Sequence, residues 1–170
     1  MLKRITDTEF DKAYKLLSDS FPKNELRPKD NMKKAMDNKK YIVYIYGDDI
    51  KGVTAVWELS EYLFVEYLAV NERFRNNGTG SQILKELCDM YKIPLCLEVE
   101  PPESDIAKRR IGFYKRNGFY LNDYYYEQPA YSEKQAAVPL MIMTTEKEIS
   151  EEEFLIMRRE IYKEVYNKTI

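Results

Sequence analysis

Apolar positions along the chain switch between two periods, and the switches mark its elements. Met1 to Ile5 reads as a short strand, and Thr6-x-x-Glu9 reads as a capping box that opens a helix carrying Phe10, Ala13, Tyr14 and Leu17 on one face. Pro22 and Pro28 bound the loop that follows. A more polar helix, about Asn31 to Asn38, leads to a strand from Tyr41 to Tyr46, and Gly47-Asp48-Asp49 turns into a strand from Ile50 to Leu59. In the next segment, Tyr62 to Val70, simple alternation places Leu63, Val65, Tyr67 and Ala69 on one face and Tyr62, Phe64, Leu68 and Val70 on the other. Both sets are apolar, which predicts a central strand covered on both sides.

Beyond Gly80, Ile83, Leu84, Leu87, Cys88 and Tyr91 recur at helical spacing. Leu95 to Glu100 is the next strand, ended by Pro101-Pro102, and a helix from about Asp105 to Asn117 closes at Gly118 in a left-handed cap. Phe119 to Tyr126 and Val138 to Thr144 form a last strand pair around the loop Glu127 to Ala137. Ser150-x-x-Glu153 is a second capping box, with Phe154, Met157, Ile161 and Val165 on the face of a terminal helix. No repeat or low-complexity linker interrupts the order. It predicts a single α/β domain over residues 1–170 with a mixed sheet.

Composition narrows the chemistry. The net charge of -2 is spread over interspersed Lys, Arg, Asp and Glu, so no basic stripe argues for nucleic acid. No apolar run approaches the roughly 20 residues of a membrane span, and Met1-Leu2-Lys3-Arg4 leads into an amphipathic segment rather than a signal-peptide core, which makes the cytoplasm the expected location. Cys88 and Cys96, one in a predicted helix and one in a predicted strand, supply neither a disulfide framework nor a four-ligand zinc site and are expected to be buried thiols. Histidine is absent, which removes the commonest general base and every imidazole triad. Proton transfer must be run by carboxylates, tyrosines, lysines or water.

One corner of the chain is built for an anion. The strand ending at Val70 runs through Asn71-Glu72-Arg73-Phe74-Arg75-Asn76-Asn77-Gly78-Thr79-Gly80-Ser81 into a helix, delivering an arginine and two glycines to a helix start, where backbone N–H groups lack partners and the dipole adds positive charge. A P-loop needs Lys-Ser/Thr after its second glycine, and Gly80 is followed by Ser81-Gln82. A dinucleotide fingerprint needs a small residue where Ile83 stands. What is left, Arg75-x-x-Gly78-x-Gly80, resembles the acyl-coenzyme-A pyrophosphate loop of the GNAT superfamily of N-acetyltransferases. Gly112-Phe113-Tyr114-Lys115-Arg116-Asn117-Gly118-Phe119 is similar to the same family's Tyr-x-x-x-Gly-Phe signature, and the order of elements resembles that fold from end to end, most closely between Tyr62 and Phe119.

The resemblance implies a mixed, mostly antiparallel sheet flanked by helices, whose fourth and fifth strands splay so that coenzyme A lies in the V. Main-chain groups of Leu68, Ala69 and Val70 would pair with the pantetheine arm, the Leu68 N–H would polarise the thioester carbonyl, and the pyrophosphate would rest on Arg75 and the N–H groups of Asn76, Asn77, Gly78, Thr79, Gly80 and Ser81. Acetyl-CoA is the implied cosubstrate, with no metal required. Tyr114 matches the tyrosine that protonates the leaving sulfur; its other reading is a core tyrosine, since Ala107, Ile111 and Tyr114 share a helix face. The sequence departs from the family at Ala107, where many members carry asparagine, and at Arg110, where a small residue is common. Arg110 or Lys115 could instead meet a phosphate.

An amine acceptor is mostly protonated at neutral pH, its reference pKa being about 10.4, so a base is expected as well. Glu66, the only charge in the central strand, fits that role, or else it is a structural glutamate hydrogen-bonded to its neighbour. Glu98 and Glu100 share a strand face, and with Glu58 and Glu61 they could form an acidic funnel for a cationic amine. Glu25, in the proline-bounded loop, and Tyr126, in a tyrosine cluster with Tyr124, Tyr125, Gln128 and Tyr131, are candidate acceptor contacts. The leading expectation is acetyl transfer from acetyl-CoA to a primary amine, small-molecule or peptide, in a ternary complex. The alternatives are a coenzyme-A-binding regulatory module without turnover and an acidic protein-interaction domain. The apolar terminal helix or the final strand pair could support a homodimer.

Overall fold

The computed structural model describes residues 1–169. Its strands are β1 (Leu2–Arg4), β2 (Tyr41–Tyr46), β3 (Gly52–Glu58), β4 (Leu63–Val70), β5 (Leu95–Val99), β6 (Phe119–Gln128) and β7 (Val138–Thr145). Its helices are α1 (Phe10–Ser20), α2 (Lys29–Ala35), α3 (Thr79–Tyr91), α4 (Asp105–Arg116) and α5 (Glu151–Glu164), with one 3-10 turn at Glu72–Phe74. The strands form one sheet in the order β1-β2-β3-β4-β5-β7-β6, in which β4 and β5 are parallel and every other neighbouring pair is antiparallel. This is the mixed, mostly antiparallel α/β architecture expected. Among the described residues no helix is long and apolar enough to cross a membrane.

Each face of the sheet buries its own core. On one side Phe10 and Leu17 of α1, Met32 of α2, and Phe154, Met157 and Ile161 of α5 pack against Val43, Ile45, Trp57, Phe64, Tyr67 and Ile142. On the other, Ile83, Leu84 and Leu87 of α3 and Ile111 and Tyr114 of α4 pack against Val56, Leu63, Val65, Leu97 and Met143. The apolar face of α5 is thus buried against its own sheet. A second copy would be left with Leu155 and Ile156, or with Tyr120 and Tyr125 on the edge strand β6.

Simple alternation fails inside β4. Ala55 opposes Tyr67 and Val56 opposes Val65, so Glu66 is an extra residue, a β-bulge. The faces exchange there: Leu63, Val65 and Leu68 pack on the α3/α4 side, and Phe64, Tyr67 and Ala69 on the α1/α5 side. The first capping box also differs. The Glu9 carboxylate accepts from the Thr6 N–H and hydroxyl, but these close a turn ahead of the helix, which starts at Phe10. Ile50 belongs to the β2–β3 turn at φ 50° rather than to the strand, α2 starts earlier than expected because Pro28 caps it, and Cys88 is exposed while Cys96 is buried. The Ser150–Glu153 box forms in full, and Gly118 takes its left-handed turn at φ 84°.

The β6–β7 ladder shifts register between Asn122 and Tyr126. Asn122 is buried at that irregularity. Its amide donates to Ile142 O at 3.2 Å and Thr144 Oγ1 at 2.9 Å, and its oxygen accepts from Ile149 N at 2.9 Å, just before α5. Asn122 thus ties the segment before the terminal helix to the sheet, beside the Tyr124 hydroxyl, which donates to Ile149 O at 3.0 Å. Asn122→Ala would strand the Ile149 N–H and is expected to cost about 1–3 kcal/mol; urea unfolding checks this, and an unchanged midpoint would show that the helix is positioned without this tie.

Candidate active site

The site begins where a ladder ends. The parallel pair β4–β5 is joined at Leu63/Leu95, Phe64/Cys96 and Val65/Leu97, and no further pairing follows among the described residues. The bulge turns β4 away at the next position, so the fork opens at Glu66 on one prong and Glu98 on the other. Past it, main-chain groups of β4 that would have faced β5 are free to pair with an extended ligand.

One side of the fork is basic. After β4, Asn71 caps the 3-10 turn by accepting from Arg73 N, Asn76 takes φ 63°, and Gly78 takes φ 76° as the residue before α3. No side chain caps α3, so its first N–H groups face outward. Gly80 serves packing as well as access, because a Cβ there would meet Phe113 Cζ at 3.0 Å and the ring would have to give way. The resulting groove, about 830 Å³, is lined by Arg75, Arg109, Arg110 and Arg116 with no carboxylate. Arg75 is steadied by a bond from Nε to Val70 O at 3.1 Å. These residues suit a polyanion such as a pyrophosphate. Of the two cations expected as further phosphate contacts, Arg110 lines this groove and Lys115 does not.

The other side is acidic. A cavity of about 340 Å³ is lined by Asp19, Glu25, Glu66, Glu98 and Glu100, and it shares Leu68, Val70, Arg75, Arg110 and Tyr114 with the basic groove. Tyr114 stands at this junction. Its ring packs edge-on against Phe113 and Phe119, so it is a core tyrosine and a cavity residue at once. Burial pushes its hydroxyl up to about 12, Arg110 pulling the other way, so it is a neutral phenol over the working range.

Two glutamates meet at the fork in different company. Glu66 Oε1 accepts from Arg27 Nη2 at 2.7 Å, Arg27 Nε at 3.2 Å and the Tyr131 hydroxyl at 3.0 Å, while Oε2 is buried without a partner. The side chains of this ion pair are 6% and 1% exposed. Arg27 also lies over the rings of Tyr41, Trp57 and Tyr131 and donates to Val165 O at 2.9 Å. Of the two expectations for Glu66, this geometry matches the structural one, with an arginine rather than the next strand as partner. Among the described residues no cation pairs with Glu98. Its carboxylate accepts from the Tyr126 hydroxyl and lies 2.8 Å from the Tyr166 hydroxyl at both oxygens.

Other expectations redistribute. Tyr126 is buried behind Glu98 and does not line the cavity; Tyr124 donates to Ile149 O, and Tyr125 is exposed. Gln128 lines the cavity and bonds Asn24 O. Glu58 and Glu61 flank the start of β4, opposite to the fork, so the funnel consists of Glu25, Glu98 and Glu100 without them. Glu100 lies 3.9 Å from Arg110, whereas Glu25 has no ion-pair partner among the described residues; burial, then Glu100, raises its carboxyl, and the Arg110 charge opposes this. Arg27 and Tyr166 were missed. Arg27 could have been found by asking what cation answers the lone charge in β4; nothing local marks Tyr166.

Comparison with known proteins agrees with this architecture. The family model described as an acetyltransferase (GNAT) domain matches residues 37–121. The chain is similar to YjbC of Bacillus subtilis (strain 168), assigned as an acetyltransferase, at 26% identity over 156 residues, covering 90% of this chain and 80% of that protein. It is similar to a solved structure from Bacteroides thetaiotaomicron, assigned to the GNAT acetyltransferases, at 32% identity and TM-score 0.90, covering 99% of each chain. A Bacillus subtilis acetyltransferase solved with CoA shares the fold at TM-score 0.57 and 17% identity, over 85% of this chain and 95% of that one.

Glu66→Gln tests the structural reading of that residue. It would leave the Arg27 guanidinium buried without its counter-charge, a loss of about 3 kcal/mol or more, lowering the melting temperature by on the order of 10 °C. A melt within a degree or two of wild type would show that Arg27 does not depend on Glu66.

Proposed function

The chain belongs to the GNAT acetyltransferase family, and on that premise we propose that it moves an acetyl group from acetyl-CoA to a primary amine by direct attack in a ternary complex. One observation carries the reading: a groove lined by arginines and a cavity lined by carboxylates meet at Leu68 and Tyr114. A phosphate-bearing donor and a cationic acceptor would arrive from opposite sides and react where the two spaces join.

In this reading Arg75 and the N–H groups from Asn76 to Ser81 hold the pyrophosphate. The β4 edge at Leu68, Ala69 and Val70 aligns the pantetheine arm, and the Leu68 N–H points at the thioester oxygen. Tyr114 delivers its proton to the departing sulfur. Glu25 and Glu100 draw a small-molecule or peptide ammonium into the cavity. The proposed setting is the cytoplasm, with no metal required.

Release of free thiol from acetyl-CoA, measured against a panel of primary amines, tests the proposal. CoA binding without release across the panel would favour a regulatory module, and no thermal shift with CoA would remove the nucleotide reading altogether. Tyr114→Phe is expected to keep the CoA dissociation constant and lose about a hundred- to ten-thousand-fold in kcat; unchanged turnover would return Tyr114 to a packing role. Arg75→Ala is expected to raise KM for acetyl-CoA about tenfold or more, as loss of a charged hydrogen bond does, with kcat nearly unchanged.

A further inference from the structure

Two glutamates mark the tip of the fork, and only one of them is neutralised. Glu66 follows Val65 and Glu98 follows Leu97, the last residues paired between β4 and β5. Arg27 answers Glu66. Among the described residues nothing answers Glu98 but phenols, although it lines the same cavity as Leu68 and Tyr114. A half-buried carboxylate lacking a cation is the complement of an ammonium group.

We propose that Glu98 is the general base of the reaction, taking a proton from the acceptor's ammonium group while Tyr126 and Tyr166 hold its carboxylate in place. This rests on the acetyl-transfer reading above. Glu98 removes one proton from R–NH3⁺. The freed lone pair forms the C–N bond to the acetyl carbonyl carbon, and the C–S bond breaks with its electrons passing to sulfur. Tyr114 gives sulfur a proton and is restored by the second proton shed from nitrogen, and the proton on Glu98 leaves to solvent. One ammonium and one thioester thus yield one amide, one thiol and one proton. Alcohols and thiols, arriving without a positive charge, would leave Glu98 unanswered, so the acceptor class is a cationic amine.

The surroundings suit a base that works near neutrality. Burial pushes Glu98 up to about 8, with donation from Tyr126 and Tyr166 holding it down and the charges of Glu66 and Glu25 adding to the rise. Other titratable or charged groups around it are Cys96 on its own strand, Tyr162 on α5, and Asp19, Tyr67, Arg75, Glu100, Arg110 and Tyr114 around the shared cavity. Only the unprotonated form accepts a proton, so the rate falls as pH falls through that value. Removing a donor that favours the anion moves the limb to higher pH.

The experiment is a pH profile of kcat/KM with the best acceptor of the panel, beside an activity-independent ¹³C NMR titration of side-chain carboxyls in the free protein. Wild type is expected to show an acid limb, and a Glu98 resonance, near pH 8. Glu98→Gln keeps hydrogen-bond acceptors for both phenols; it is expected to melt like wild type, bind CoA as before, lose the limb and lose about a hundred- to ten-thousand-fold in kcat. Tyr166→Phe is expected to move limb and resonance upward together, and Glu25→Gln to raise KM for the acceptor while the limb persists, moved toward lower pH because a charge that raises Glu98 is gone. A Glu98→Gln enzyme with the wild-type limb and kcat within threefold, a Glu98 resonance titrating in the ordinary carboxylate range, or a limb that disappears in Glu25→Gln would each overturn the assignment. Absence of thiol release in wild type would instead reject the acetyl-transfer reading, and the titration would still report on Glu98.

Discussion

Everything in this molecule that bears on chemistry follows from a parallel strand pair that stops after three residues. A sheet gains from each added ladder bond, so a central pair that parts company needs a cause and a new use for its main-chain groups. The cause is local: the extra residue at Glu66 bends β4 and changes which side chains face which core. The ion pair at the same position makes re-closure costly, since sliding β4 back toward β5 would have to move a buried carboxylate off Arg27, itself wedged among three aromatic rings. The open edge is thus a stable feature of the fold, available to a ligand that can act as a strand.

The fork also sorts charge. Arginines of α4 and the β4–α3 loop face one side, and carboxylates of β5 and the α1–α2 connection face the other. With a net charge of only -2, this separation is local, and it steers ligands only within a screening length of about 8–10 Å. Arg110 touches both fields, lining each cavity and sitting near Glu100. It therefore couples the two: a phosphate that draws Arg110 into the groove would leave Glu100 more exposed to an arriving cation.

The basic half of the site was legible in the sequence because it is written locally. The Arg75–Ser81 corner, the helix it opens and the Tyr114 helix follow from turn residues and periodicity, which act over a few positions. The acidic half is assembled from afar. Glu66 and Arg27 lie 39 residues apart, and Glu98 and Tyr166 lie 68 apart. Glu25, Arg27, Tyr126, Tyr131 and Tyr166 all fall outside the segment matched by the family model. Alternation misled at Glu66 because a bulge is a property of two strands in register, and the reading of one strand cannot contain it. Thr6 and Glu9 misled for a related reason: their hydrogen bonds form, but in a turn that precedes the helix rather than in its first turn.

A chain without histidine has to obtain a group that titrates near neutrality by other means, and the fork shows one. It holds two carboxylates of the same residue type within each other's field and gives them different partners. A guanidinium fixes Glu66 in an ion pair and makes it part of the frame. Phenols, which donate a hydrogen bond but carry no charge, orient Glu98 without supplying the cation that would settle its protonation. Separated environments for paired carboxylates are how acid and base roles are divided on a single side-chain chemistry. Tyrosine suits the second task because its neutral hydroxyl can hold the carboxylate in either protonation state, and Tyr126 and Tyr166 are both held far above their ordinary range by burial, so neither competes for the proton.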